Sequence, residues 1–111
     1  MKKVNILGTE YTIEILKKEE DKYLNDNRDG YCDKTSKKIV VCAEDEENEL
    51  DNYDVYLKNI IRHEIVHAFL FESGLHENFS HPQFGHEETM VDWIAVQFPK
   101  MLKAFQEVGC L

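Results

Sequence analysis

Apolar and polar residues alternate in the first part of the chain, a pattern typical of strands with one buried face. The alternation extends over residues 4–16 and is interrupted at Gly8-Thr9. Its apolar positions are Val4, Ile6, Tyr11, Ile13 and Ile15. Because glycine favours turn conformations, the pattern predicts a β-hairpin of two short strands.

A second pair of short strands is predicted at Gly30–Asp33 and Lys38–Cys42. The later strand has the better support, because it is rich in β-branched apolar residues. Residues 34–37 between the two are polar, so we expect a second hairpin. Residues 17–30 are charged and end in a run of turn-forming residues, which predicts a loop that is helical at most in part.

A long buried helix is predicted from Tyr53 to about Glu72, where apolar residues leave few wholly polar faces. Asp51 and Asn52 are good N-caps, so the helix should begin directly after them. Ser73-Gly74 should end it, since glycine supplies the left-handed conformation of a helix C-terminus. The acidic segment before the helix, residues 44–54, is interpreted as a solvated loop.

A second helix is predicted after the loop of residues 75–85. It should run from about residue 86 to residue 98, with Pro99 breaking or kinking it and a further turn or two reaching Val108. Together these elements predict a single α+β domain over residues 1–111. In that domain a short, mainly antiparallel sheet packs on the first helix and on the second.

Composition narrows the classes of partner and the compartment. The 111 residues include 22 acidic and 13 basic ones, a formal net charge of -9, so we expect neither nucleic acid nor an anionic membrane as a partner.

Cys32, Cys42 and Cys110 have neither CxxC spacing nor an even count, which fits free thiols in a reducing cytoplasm. The N-terminus lacks the apolar part of a secretion signal, and no apolar run approaches roughly 18 residues. A cytoplasmic protein without a membrane span is therefore expected.

The first predicted helix contains the sequence His63-Glu64-Ile65-Val66-His67. Side chains four residues apart lie on one helical face, so His63 and His67 can bind one metal ion. Glu64 lies in an apolar stretch, where a buried charge is costly unless a cation or a reacting water compensates for it. This spacing is typical of zinc peptidases, in which both histidines bind Zn²⁺ and the glutamate is the general base.

A catalytic zinc site needs a third protein ligand and an open position for water. Glu88 and Asp92 lie four residues apart at the start of the second helix. We predict that Glu88 binds the metal and that Asp92 accepts the free ring N–H of a ligand histidine. Alternative third ligands are Glu87, His76, His81 and His86. His76 follows His67 by nine residues, which does not fit the metzincin spacing.

The two motifs together resemble the HExxH plus ExxxD arrangement of the gluzincins. The short span, with a small sheet and two helices, is similar to the minimal zincin domains of ImmA/IrrE-type proteins and of related phage-encoded peptidases. The resemblance implies a zincin-like α+β fold, Zn²⁺ as the cofactor and peptide hydrolysis as the activity. It also implies that residues 39–42 form the sheet edge along which an extended peptide could pair.

The leading hypothesis is a cytoplasmic zinc peptidase acting on a narrow set of protein targets. Glu64 would take a proton from the attacking water and deliver it to the leaving amine. The sequence leaves the donor that stabilises the oxyanion open among Tyr31, Tyr53, His76 and His81. One alternative is a non-catalytic module with a structural zinc, closed by a fourth ligand such as His76 or His86. Another is a metal-free interaction protein that uses acidic residues 44–54.

Overall fold

The first two strands form the predicted hairpin in this computed structural model, which describes residues 2–25, 28–46, 48–78 and 80–111. Strand β1 (Lys2–Ile6) pairs antiparallel with β2 (Thr9–Leu16). Leu7 and Gly8 make the turn between them, with φ values of 52° and 94°. Gly8 tolerates this conformation because it has no Cβ.

The second predicted hairpin is also present, as β3 (Gly30–Asp33) and β4 (Lys38–Cys42), which pair antiparallel. The two hairpins join through a parallel pairing of β2 with β4, so the strand order is β1-β2-β4-β3. The sheet is therefore mixed and mainly antiparallel. The expectation that residues 39–42 form a sheet edge is wrong, because β4 has hydrogen-bonded neighbours on both sides.

Strand β4 is buried on both faces of the sheet. Ile39 and Val41 lie in the main core, whereas Val40 and Cys42 pack with Leu24 in a second, smaller core. Alternate residues of a strand point to opposite faces, so a continuous apolar run is what a central strand requires. Leu24 thus packs against the face of the sheet opposite the main core.

Helix α1 (Tyr53–Glu72) covers the other face of the sheet and has the predicted bounds. The side chain of Asn52 caps its first turn, and Gly74, with φ of 84°, follows its last. Ile60 and Ala68 are buried in the main core. The strand residues in this core are Ile6, Tyr11, Ile13, Ile39 and Val41.

Helix α2 (Glu88–Glu107) follows two short 3₁₀ turns, Leu75–Glu77 and Pro82–Gly85. It begins two residues later than predicted because Glu87 is its N-cap. It continues through Pro99 without the break that was one predicted outcome, and it reaches Glu107, next to the predicted end at Val108. The fold is α+β, a four-stranded mixed sheet with two helices, as predicted from the sequence.

Arg62 of α1 explains how α2 tolerates Pro99. Proline has no N–H, so the carbonyl of Ala95, four residues earlier, has no helical donor from position 99. The Nε of Arg62 donates a hydrogen bond of 2.6 Å to that carbonyl, and Ala95 itself is buried. A side chain of α1 therefore replaces the missing hydrogen bond of α2 and fixes the two helices against each other.

The Arg62→Met variant should lower the free energy of unfolding by about 1.5–3 kcal/mol, because it leaves the buried Ala95 carbonyl without a donor. In a Pro99→Ala background the loss should be smaller, since the new N–H at position 99 can serve that carbonyl. Urea unfolding of the original protein, the two single variants and the double variant measures the difference. An equal loss in both backgrounds would contradict the explanation. Lys58→Met, an exposed change on α1, is the control.

The remaining segments are short turns and loops. The described part of residues 17–30 contains one 3₁₀ turn, Lys18–Glu20, which fits the expectation that this segment is helical at most in part. Parts of three predicted segments lie outside the described residues: Asp26 and Asn27 of the turn, Glu47 of the acidic segment and Phe79 of the loop. Within the described residues, neither helix has the length and apolar character needed to cross a membrane.

Candidate metal centre

His63 and His67 project from neighbouring turns of α1 toward the same point. Their Nε2 atoms are 3.2 Å apart, and the ring centroids are separated by 4.8 Å. This closeness follows from the helix, which brings residues four apart onto one face. Burial lowers the pKa of His67, which favours the neutral imidazole and leaves a nitrogen lone pair free for a metal.

Glu88, the first residue of α2, completes a group of three candidate ligands. Its Oε1 lies 2.7 Å from Nε2 of His67 and 3.6 Å from Nε2 of His63. A tetrahedral ion with bonds of about 2.0–2.1 Å holds its ligand atoms roughly 3.3 Å apart. The three distances between these ligand atoms bracket that value, so His63, His67 and Glu88 could hold a metal ion. Two imidazole nitrogens and one carboxylate oxygen are a donor set that suits zinc.

Each candidate histidine ligand has a partner at its other ring nitrogen. The Nδ1 of His63 lies 2.7 Å from Oδ1 of Asp92, where the sequence analysis expected that carboxylate to act. The Nδ1 of His67 lies 2.8 Å from Nδ1 of His86. If Nε2 of each histidine binds a metal, both Nδ1 atoms carry a proton and donate it to these partners. Asp92 and His86 therefore orient the two rings.

The sequence named His86 as an alternative ligand, but it did not predict the contact of His86 with His67. His86→Phe should weaken zinc binding about tenfold, because it removes the Nδ1 acceptor while keeping a ring to stack on His67 and Phe71. Competition with a chromogenic chelator measures this affinity. His81→Phe, a change of an exposed histidine, is the control. Equal affinities for both variants would mean that His86 does not orient His67.

Glu64 lies beside the ligand group and is the one charged residue in the buried part of the described chain. Its Oε2 is 4.0 Å from Nε2 of His63. Burial, and then the negative charge of Glu88, raise the pKa of Glu64 to about 8. A divalent cation between the ligands would favour the carboxylate instead. The carboxyl group is thus placed to exchange a proton with a water near that cation.

A cavity of about 860 Å³ opens over the ligand group. One wall is formed by residues 28–32, which include the first three residues of β3, and Tyr56, Asn59 and Phe71 line it from α1. Arg28 is the only Lys or Arg among the described residues of the lining, and its positive charge acts against the raised pKa of Glu64. The pKa of Cys32 is raised to about 12, first by burial and then by Glu64, so its thiol remains protonated.

The other residues considered as third ligands have different roles. Glu87 accepts hydrogen bonds from two backbone N–H groups of the first turn of α2. The Nε2 of His76 lies 2.9 Å from a carboxylate oxygen of Glu77, and Nδ1 of His81 lies near the carbonyl of Pro82. None of these, nor His86, belongs to the group of candidate ligands that the described residues form.

Two of the proposed oxyanion donors are engaged elsewhere. The hydroxyl of Tyr31 donates to Asp21 over 2.6 Å, and that of Tyr53 donates to the carbonyl of Cys42 over 2.7 Å. Arg28, which no sequence pattern singled out, also lines the cavity.

No protein-family model matches the sequence, and neither a curated protein nor a solved structure matches the chain. The side chains around this cavity are therefore what indicates a function.

Proposed function

We propose that this protein is a zinc-dependent peptidase of the gluzincin-like type. The observation that carries the proposal is the triangle of His63, His67 and Glu88, with the buried carboxyl group of Glu64 beside it and an open cavity above it. Three protein ligands leave one position of a tetrahedral ion for water, which is the arrangement of catalytic rather than structural zinc.

In this proposal each residue has a defined task. His63, His67 and Glu88 would hold Zn²⁺, which would act as a Lewis acid by lowering the pKa of a water and polarising the scissile carbonyl. Glu64 accepts a proton as the water oxygen bonds to the carbonyl carbon. It then donates that proton to the leaving nitrogen as the C–N bond breaks. Asp92 and His86 hold the ligand rings in the tautomer that presents Nε2.

Strand β3 is the edge along which we propose that a peptide substrate pairs. It is an outermost strand of the sheet, next to β4, and its residues Gly30, Tyr31 and Cys32 line the cavity. The free backbone groups of an edge strand can bind an extended peptide without regard to its side chains. This role replaces the one that the resemblance implied for residues 39–42. The open cavity fits protein segments, and the three free cysteines fit the cytoplasm.

The alternative of a non-catalytic module with structural zinc receives less support. Such sites are usually closed by four protein ligands, whereas the described residues offer three near one another. The metal-free alternative based on residues 44–54 leaves the ligand group and the buried Glu64 unexplained. The peptidase accounts for both the ligand group and the buried Glu64.

Incubation of the zinc-loaded protein with an unstructured protein and with a peptide library tests the proposal. Mass spectrometry should detect new termini that form with zinc, disappear with a chelator and return when zinc is restored. The absence of cleavage, despite one equivalent of bound zinc, would favour the structural-zinc alternative. The absence of zinc binding would contradict both.

A further inference from the structure

The second half of α2 is partly exposed and carries large apolar side chains. Its N-terminal half is anchored to the domain by the buried residues Val91 and Ala95, whereas no residue of α2 after Ala95 is buried. Phe98, Phe105 and Val108 expose 46%, 38% and 76% of their surfaces. Large exposed apolar side chains that cluster on one element indicate an interaction surface.

These side chains belong to a heptad-like pattern. Residues at intervals of alternately three and four form a stripe: Ile94, Gln97, Met101 and Ala104 of α2, and Val108, its C-cap. The first three are half-buried, whereas Ala104 and Val108 are exposed. Lys100 and Glu107 lie along one flank of this stripe. Phe98 and Phe105 lie along the other flank. We call the stripe and its two flanks the α2 stripe.

We propose that the α2 stripe pairs with the same stripe of a second copy of this chain, in antiparallel orientation about a twofold axis. In that orientation the charged flank of one copy lies beside the charged flank of the other, and the aromatic flank lies beside the aromatic flank. Lys100 of each copy therefore lies beside Glu107 of the other copy. Phe98 likewise lies beside Phe105 of the second copy. Both charge pairs and both aromatic pairs are satisfied at once.

A parallel pairing matches the flanks less well. There the charged flank of one copy meets the aromatic flank of the other, so Lys100 lies beside Phe105 and no opposite charge faces it. The charge pattern therefore selects the antiparallel dimer over the parallel one. The pairing covers only the second half of α2, so the dimer should be weak and should form in the micromolar range.

The paired segment lies away from the metal centre. Glu88 and Asp92 are at the N-terminal end of α2, roughly 15–20 Å along the helix from the centre of the pairing at 1.5 Å per residue. The two cavities of the dimer would lie at opposite ends and stay open. The inference is thus independent of the proposed peptidase activity.

Analytical ultracentrifugation of the full chain across the micromolar range tests the proposal. Lys100→Glu and Glu107→Lys should each weaken dimerisation at least about fivefold, because each turns both symmetric pairs into like-charge contacts. The double variant should restore the dimer to within about twofold of the original affinity. Lys103→Glu, which changes the net charge as Lys100→Glu does but lies outside the α2 stripe, should leave it unchanged. Circular dichroism checks that each variant is folded.

Cys110 provides an independent test of orientation. It is exposed, whereas Cys32 and Cys42 are not, so mild oxidation at dimeric concentrations should act on Cys110. An antiparallel pair holds the two Cys110 residues roughly 20 Å apart, too far for a disulfide, whereas a parallel pair brings them together. A monomer throughout the micromolar range, failure of the double variant to restore the dimer, or rapid Cys110 cross-linking would each overturn the proposal.

Discussion

Glu64→Gln should bind zinc as the original protein does and hydrolyse peptides about 10²–10⁴-fold more slowly. The expected loss is the contribution of a general base, because glutamine has nearly the same shape and cannot accept the proton of the attacking water. Zinc content should remain one ion per chain, since Glu64 does not belong to the ligand group. Single-turnover cleavage and metal analysis of the same preparation measure the two quantities.

Because Glu64 is buried, its replacement by glutamine should not weaken the fold. A charged carboxylate in that environment is costly, so the neutral amide should leave the fold of the metal-free protein intact or slightly more stable. Glu49→Gln, which makes the same change at an exposed position, is the control and should keep full activity. Cleavage by Glu64→Gln at the original rate would exclude Glu64 as the base and require another proton acceptor.

The sequence predicts those parts of the candidate metal centre whose geometry is set by helical periodicity. His63 and His67 are four residues apart on α1, and Glu88 and Asp92 are four residues apart on α2, so each pair shares a face whatever the rest of the fold does. His86 lies outside regular structure, and its contact with His67 depends on how the preceding loop returns to α1. No periodic pattern in the sequence encodes that contact.

The fold shows the same division between local and long-range determinants. Both hairpins were predicted because each is a local pattern of alternating residues around turn-forming ones. The parallel pairing of β2 with β4 was not predicted, because it joins segments that are distant in sequence. Pro99 is a similar case. Its local effect is to interrupt a helix, and the hydrogen bond from Arg62 compensates for that effect from another helix.

The correct placement of β4 also changes the interpretation of substrate binding. A strand that is buried on both faces and paired on both sides cannot accept a peptide, so its apolar run indicates a core role. Its neighbour β3 is less buried and lines the cavity. The apolar run identified a strand correctly, but only the strand order tells which strand can bind a peptide.

Glu88→Ala should weaken zinc binding at least about a hundredfold, since loss of even an outer partner of a ligand weakens metal binding 10–100-fold. The Glu88 side chain is 64% exposed, so the metal-free protein should lose little stability. At a zinc concentration about 100 times the original Kd, zinc should stabilise the original protein by about 2.7 kcal/mol. The variant should then gain only about 0.4 kcal/mol.

Glu87→Ala is the matched control, because Glu87 is the neighbour of Glu88 and caps α2 instead of joining the ligand group. Removal of the cap should cost about 1 kcal/mol with and without zinc, and the stabilisation by zinc should stay at its original value. Thermal unfolding of the three proteins at matched zinc concentrations separates the two effects. If Glu88→Ala kept the full stabilisation by zinc, the third ligand would have to be another residue, since a lost metal ligand must reduce the free energy that the metal adds to folding.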